Sequence, residues 1–159
     1  MIRKFCLVWM MVLALILSQL SWSQGEYLNE EAWAFLDSAN SLFEQAFRDA
    51  AQGVTKENAQ QYVLSLNQLY SATNGLELAL RERQGAFQQA GQTVPLDLSY
   101  LVTAISALGS GISALADYYQ QLQSPMAMPG VLQNNLRIAQ LNSTIYWLAL
   151  SLYQEKAEP

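Results

Sequence analysis

Apolar residues recur along this chain at alternating steps of three and four, in four long blocks. In the first, from Leu28 to Ala51, they fall at Leu28, Ala32, Phe35, Ala39, Leu42 and Ala46, with Leu36, Phe43, Phe47 and Ala50 widening the stripe into a face. Side chains return to one side of an α-helix every 3.6 residues, so this spacing predicts an amphipathic helix with a face broad enough for a globular bundle. Glu30 and Glu31 fall in its first turn, where negative charge complements the helix dipole. Gly53 ends the helix, and Thr55 is placed to cap the next.

The second block predicts a helix from about Lys56 to Gln89. Its stripe is Ala59, Tyr62, Leu66, Leu69, Thr73, Leu76, Leu80 and Phe87, interrupted by Arg83 and followed by a turn at Gly91 and Pro95. The third is the most regular: Leu98, Leu101, Ile105, Leu108, Ile112, Leu115, Tyr119 and Leu122 keep the three-four alternation without a fault. Ser124-Pro125-Met126-Ala127-Met128-Pro129-Gly130 then breaks the chain. The last helix, about Val131 to Glu155, carries two stripes, Ile138, Leu141, Ile145, Leu148, Leu152 and Leu136, Ala139, Tyr146, Leu150, Tyr153. That is more apolar surface than one bundle seam requires. No stretch sustains the two-residue alternation of a strand. The expected fold class is all-α, an antiparallel up-down-up-down four-helix bundle with short connections.

Ahead of these blocks lies a segment of another kind. Arg3-Lys4 precedes an apolar run from Phe5 to Leu17, and Ser21 and Ser23 follow as small residues two apart. This is the layout of a signal peptide cleaved after Ser23, and the run of 13 residues falls short of the ~20 a membrane-spanning helix needs. An uncleaved anchor, lengthened by Leu20 and Trp22, is the alternative. The expected organisation is residues 1–23 as export segment and 24–159 as one bundle domain, secreted or periplasmic. Leu98 to Ala116 carries no charge over 19 residues, but its small polar residues and the flanking Asp97 and Asp117 suit a helix among protein neighbours rather than lipid.

Composition narrows the chemistry. The chain has no histidine and one cysteine, Cys6, inside the export segment. That removes the usual general base, the commonest metal ligand, and from the mature domain any thiol nucleophile, zinc-thiolate site or disulfide. A ferritin-like di-iron site needs Glu-x-x-His and fails; Gly109-Ser110-Gly111 lacks the lysine of a phosphate loop; Lys56 and Lys156 sit at helix ends, away from any buried serine. The expectation is no enzyme, no cofactor and no metal. Met126 and Met128 are the one soft-ligand pair, too few for a copper site. Asn142-Ser143-Thr144 fits a glycosylation acceptor but falls beside a core seam. Loss of Arg3 and Lys4 takes the net charge from −5 to −7, and the remaining basic residues are scattered, so nucleic acid and acidic lipid are not expected partners. Sixteen glutamines after Ser23 fill helix faces that charges normally occupy.

Two sets of positions are candidates for function. Folding the hairpins about residues 53, 93 and 127 brings small residues of all four helices to one level: Ala32, Gly75, Gly109, Gly111, Ser143 and Thr144. With Trp33, Tyr146 and Trp147 as walls, that layer is either a close-packed contact or a site for a small apolar ligand. On the same drawing the first helix starts too late to cover the second beyond Leu76. Leu78, Leu80 and Phe87 are then left as interaction surface, with Met126 and Met128 in the proline-bracketed loop. The leading functional expectation is an exported bundle acting through a protein partner or self-association, as structural subunit or adaptor. The alternative is a carrier or sensor of a small apolar ligand, and a weaker one is an inhibitor presenting the Ser124–Gly130 loop. A shift of 72 residues overlays several leucines, the echo a duplicated helical hairpin would leave.

Overall fold

A computed structural model describes residues 27–157. The proposed export segment, its cleavage site and Cys6 lie outside the described residues. The described chain is a bundle of four helices, α1 (Glu30–Gln52), α2 (Lys56–Gln89), α3 (Leu96–Leu122) and α4 (Pro129–Ala157), with no strand among the described residues.

Each boundary has a local cause. The Asn29 side chain accepts from the Ala32 amide at 2.9 Å and satisfies one of the donors left open at the start of α1. Thr55 does the same for α2 through the Asn58 amide at 3.3 Å. Pro95 opens α3 without a side-chain cap. Gly53, with φ 85°, turns the chain out of α1 in a conformation that side chains with a Cβ rarely adopt.

α3 is the hub. Its backbone approaches α4 and α2 closely, while α1 stands further off. The residues explain the difference. α3 brings Ala104, Ala107, Gly111 and Ala114 into the core and α4 brings Ala139 and Ala149, so these two backbones can close up. α1 instead buries Phe35, Leu36 and Phe43, whose bulk holds its axis away while filling the space between. Each large side chain so buried contributes about 1.5–3 kcal/mol.

By length and composition α3 can cross a membrane, with mean hydropathy 1.5, but 67% of that window is buried inside the protein. Its exposed residues are Leu96, Thr103, Ser110, Asp117, Gln120 and Gln121, polar except for Leu96 at the very start. These are properties of a core helix.

Contacts at the two ends fix how α1 sits. Tyr27, just before α1, meets Asp97 at the start of α3, and Arg83 of α2 lies over its ring at 4.8 Å. At the far end Tyr62 of α2 donates to the Asp49 carboxylate. The pairings Tyr27–Arg83 and Asp49–Tyr62 place α1 further along than a hinge at residue 53 implies. That shift is about one turn; the residue of α1 that reaches Gly111 is Phe43, about three turns beyond the expected Ala32, because a long ring spans part of the remaining distance.

Candidate functional site

The largest unexplained feature is on α4. Of its two stripes, Ala139, Tyr146, Leu150 and Tyr153 are buried. The other faces outward: Ile138 is 37% exposed, Leu141 64%, Ile145 44% and Leu148 63%, with Val131 continuing the line toward the start of the helix. Glutamine holds a helix about as well as leucine at such positions, and the chain places aliphatic residues at four successive turns instead. A contiguous apolar strip of this kind is exposed to water along the described length of α4.

The structure sorts the candidate interaction residues into three groups. Leu78 is 57% exposed, and Met126 and Met128 are open in the loop. Phe87 is half-buried against the core. Leu80 is 1% exposed and belongs to the core, not to any accessible surface. Tyr27 and Leu28, ahead of α1, are buried in the same core, and Arg83, one turn on from Leu80, lies over the Tyr27 ring. The upper part of α2 is thus covered by residues before the helix as well as by α3.

The small-residue layer divides. A Cβ on Gly109 would meet only Thr73 Cγ2 of α2, at 3.5 Å, whereas one on Gly111 would meet Phe43 of α1 and Asn142 Cβ of α4, all at 3.3 Å. Both contacts are close packing. Trp33, half-buried, turns toward Tyr153 with ring centroids 5.7 Å apart, three turns along α4 from Asn142. Trp147 and Thr144 are exposed on α4, and Gly75 is half-buried on α2. Gly109, Gly111 and Trp33 thus have different neighbours: Thr73, then Phe43 with Asn142, then Tyr153. The hydroxyl of Thr73, also at this level, is spent on the Leu69 carbonyl at 2.8 Å.

Two tyrosine clusters hold the ends, and periodicity alone did not single them out. At one end Tyr119 donates to the Ala46 carbonyl at 2.6 Å and Tyr118 to the Ala50 carbonyl at 3.3 Å. Ala50 is among the last residues of α1, whose carbonyls find no partner within the helix, so Tyr118 supplies one from α3. Tyr62 stacks on Tyr119 with centroids 4.8 Å apart. At the other end Tyr27 donates to Asp97 at 3.1 Å and lies near Tyr153. Burial and the bond to Asp97 push the Tyr27 phenol up to about 12, and burial and the bond to Asp49 do the same for Tyr62. Burial, followed by the carboxylates of Asp37 and Glu44, pushes Tyr146 to about 12; burial raises Tyr119 as well. A phenol pushed upward stays neutral and is a poor base or nucleophile near neutral pH, so these groups serve packing and hydrogen bonding.

Among the described residues no three Asp, Glu, His or Cys gather to hold a metal ion. Comparison of the chain with protein-family models, with curated proteins and with solved structures gives no match.

Proposed function

We propose that the chain is an exported, non-enzymatic protein that acts through protein–protein contacts, as a structural subunit or adaptor of an envelope or extracellular assembly. The observation that carries this reading is the exposed aliphatic strip of α4, Ile138 to Leu148. A domain that works alone in water gains nothing from such a strip and risks aggregation, whereas a domain that spends its life docked needs one. The residue chemistry agrees: no histidine, no thiol after Cys6, and tyrosines held neutral.

Export rests on the layout of residues 1–23, a basic start, an apolar run and Ser21 and Ser23 ahead of Gln24. The helices run up-down-up-down in this reading. It is supported by the pairing of the start of α1 with the start of α3 through Tyr27 and Asp97, and of the end of α1 with the end of α3 through Ala46 and Tyr119. α3 belongs to the protein core and not to a bilayer.

Two measurements test the proposal. The amino-terminal sequence of protein recovered from outside the cytoplasm is expected to begin at Gln24; an intact Met1 there overturns cleavage, and retention of the chain in the cytoplasm overturns export. Chemical crosslinking of the exported protein in its native setting is expected to give protein adducts that Leu148→Lys weakens. Absence of any adduct, or adducts indifferent to that substitution, overturns contact through α4.

A further inference from the structure

The outward face of α4 has an internal order that names its occupant. One set of positions recurs every seventh residue, Val131, Ile138, Ile145 and Leu152, and a second follows three residues after, Asn134, Leu141 and Leu148. Aliphatic residues, mostly β-branched, at the first set and leucine at two of the three positions of the second is close to the composition that favours a parallel two-stranded coiled coil, with Asn134 as the one polar member of the seam. We propose that this face is the seam of a symmetric homodimer in which α4 of one protomer lies parallel to α4 of a second copy. The inference rests on the reading of the chain as one that acts through protein contacts, and it identifies the partner.

Orientation follows from Asn134, which is exposed. In a parallel pair it meets its own copy, and each amide can donate to the other's carbonyl oxygen. In an antiparallel pair that sets Ile138 against Leu148, it would face Leu152 and bond to nothing.

Charge selects the same face. The chain carries a net charge of −5, so two copies repel on most approaches. Acidic residues are spread over α1, α2 and α3, but from Pro129 to Gln154 there is none, and the one charge is Arg137. α4 is therefore the side on which an acidic chain meets itself with least repulsion.

Area is adequate as well. The exposed parts of Val131, Ile138, Leu141, Ile145 and Leu148 amount to roughly 400 Å² on each protomer, within the ~300–600 Å² of the largest apolar patch on a typical monomer, a patch that is often functional. Two such strips with their flanking polar residues approach the ~1,200 Å² at which specific interfaces begin.

The test is the solution mass of the exported protein, measured by light scattering after size exclusion, as wild type and as Leu141→Lys/Leu148→Lys. Both leucines are mostly exposed, so helical circular dichroism is expected to be unchanged; Leu141→Gln/Leu148→Gln gives the same readout should the lysines prevent folding. Wild type is expected at twice the chain mass and the double variant at one. Leu141→Cys is expected to form a disulfide-linked dimer on oxidation, because the same position of two parallel helices faces itself; a wild-type dimer in which this variant fails to link overturns the parallel arrangement. An oligomer that survives both double variants overturns the α4 seam while leaving a protein-contact role in place. A wild-type monomer that crosslinks to a different protein overturns self-association alone, and a monomer that crosslinks to nothing overturns both readings.

Discussion

Gly109 and Gly111 lie two residues apart on α3, both buried in ordinary helical backbone, and they should respond to the same substitution with opposite signs. Alanine in a helix interior is favoured over glycine by about 0.8–1 kcal/mol, a gain that applies equally at both positions. Their surroundings differ. At Gly109 the added methyl meets one atom, Thr73 Cγ2, at 3.5 Å, an ordinary van der Waals distance. Gly109→Ala is therefore expected to stabilise by ~0.5–1 kcal/mol. At Gly111 the methyl meets Phe43 Cε2 and Cζ and Asn142 Cβ, each at 3.3 Å and on two different helices. The phenylalanine ring can shift, but Asn142 Cβ is bonded to its backbone, so relief requires α4 to move. Crowding of this kind costs about 1–3 kcal/mol and cancels or exceeds the helix gain. The two variants are thus expected to differ by ~1–3 kcal/mol in urea unfolding followed by circular dichroism. At about 3–5 °C per kcal/mol for a domain of this size, they also separate clearly in thermal midpoint. Equal shifts, or a more stable Gly111→Ala, would refute the close approach of α3 to α1 and α4 at that residue.

Other expectations follow from named contacts. Leu80→Ala should cost about 2–5 kcal/mol, since the side chain is 1% exposed, while Leu78→Ala two residues away should stay within ~0.5 kcal/mol; equal costs would mean that the upper part of α2 is not covered as described. Tyr119→Phe should lower stability by about 1 kcal/mol through loss of the bond to the Ala46 carbonyl, measured by the same urea unfolding, and a neutral result would remove that bond from the account. With no histidine in the chain, stability should be flat between about pH 6 and 9. Tyr27, Tyr62 and Tyr146 carry folded pKa values of about 12, above the ordinary value of 10. Their contribution is thus fully present below pH 10 and lost as pH rises from there toward 12. Unfolding midpoints measured across pH 6–11 check both claims; a slope near neutrality, or none above pH 10, contradicts them.

Much of the fold is legible in the sequence because helix periodicity reports which side of each helix is apolar. α2 begins at Lys56 and ends at Gln89 as its pattern indicates, Thr55 caps it, and the two stripes of α4 are separately visible. Periodicity does not report what each side meets. Leu80 looks uncovered on a drawing in which α1 starts near Leu28 and turns back at residue 53, whereas it is buried in the fold, and Tyr27, one residue ahead of that stripe, is buried too. Ala32 looks level with the glycines when the hairpins are folded about residues 53, 93 and 127, whereas the contacts of Tyr27 and Asp49 set α1 further along. The tyrosine clusters depend on how far a phenol reaches across the bundle, a distance that no spacing encodes. Tyr62, Tyr119 and Tyr153 stand in the apolar stripes of the sequence, but which rings and hydroxyls meet is set by the fold.

The central claim is that the apolar strip of α4 is the surface through which two copies of the chain associate. Its most direct test is the thermal midpoint of the exported protein measured over a hundredfold range of concentration, beside the same series for Leu141→Lys/Leu148→Lys. Association coupled to folding raises the midpoint with concentration. A wild-type midpoint that climbs, against a variant midpoint that stays constant, is the expected result. A wild-type midpoint that does not change with concentration would contradict association through α4.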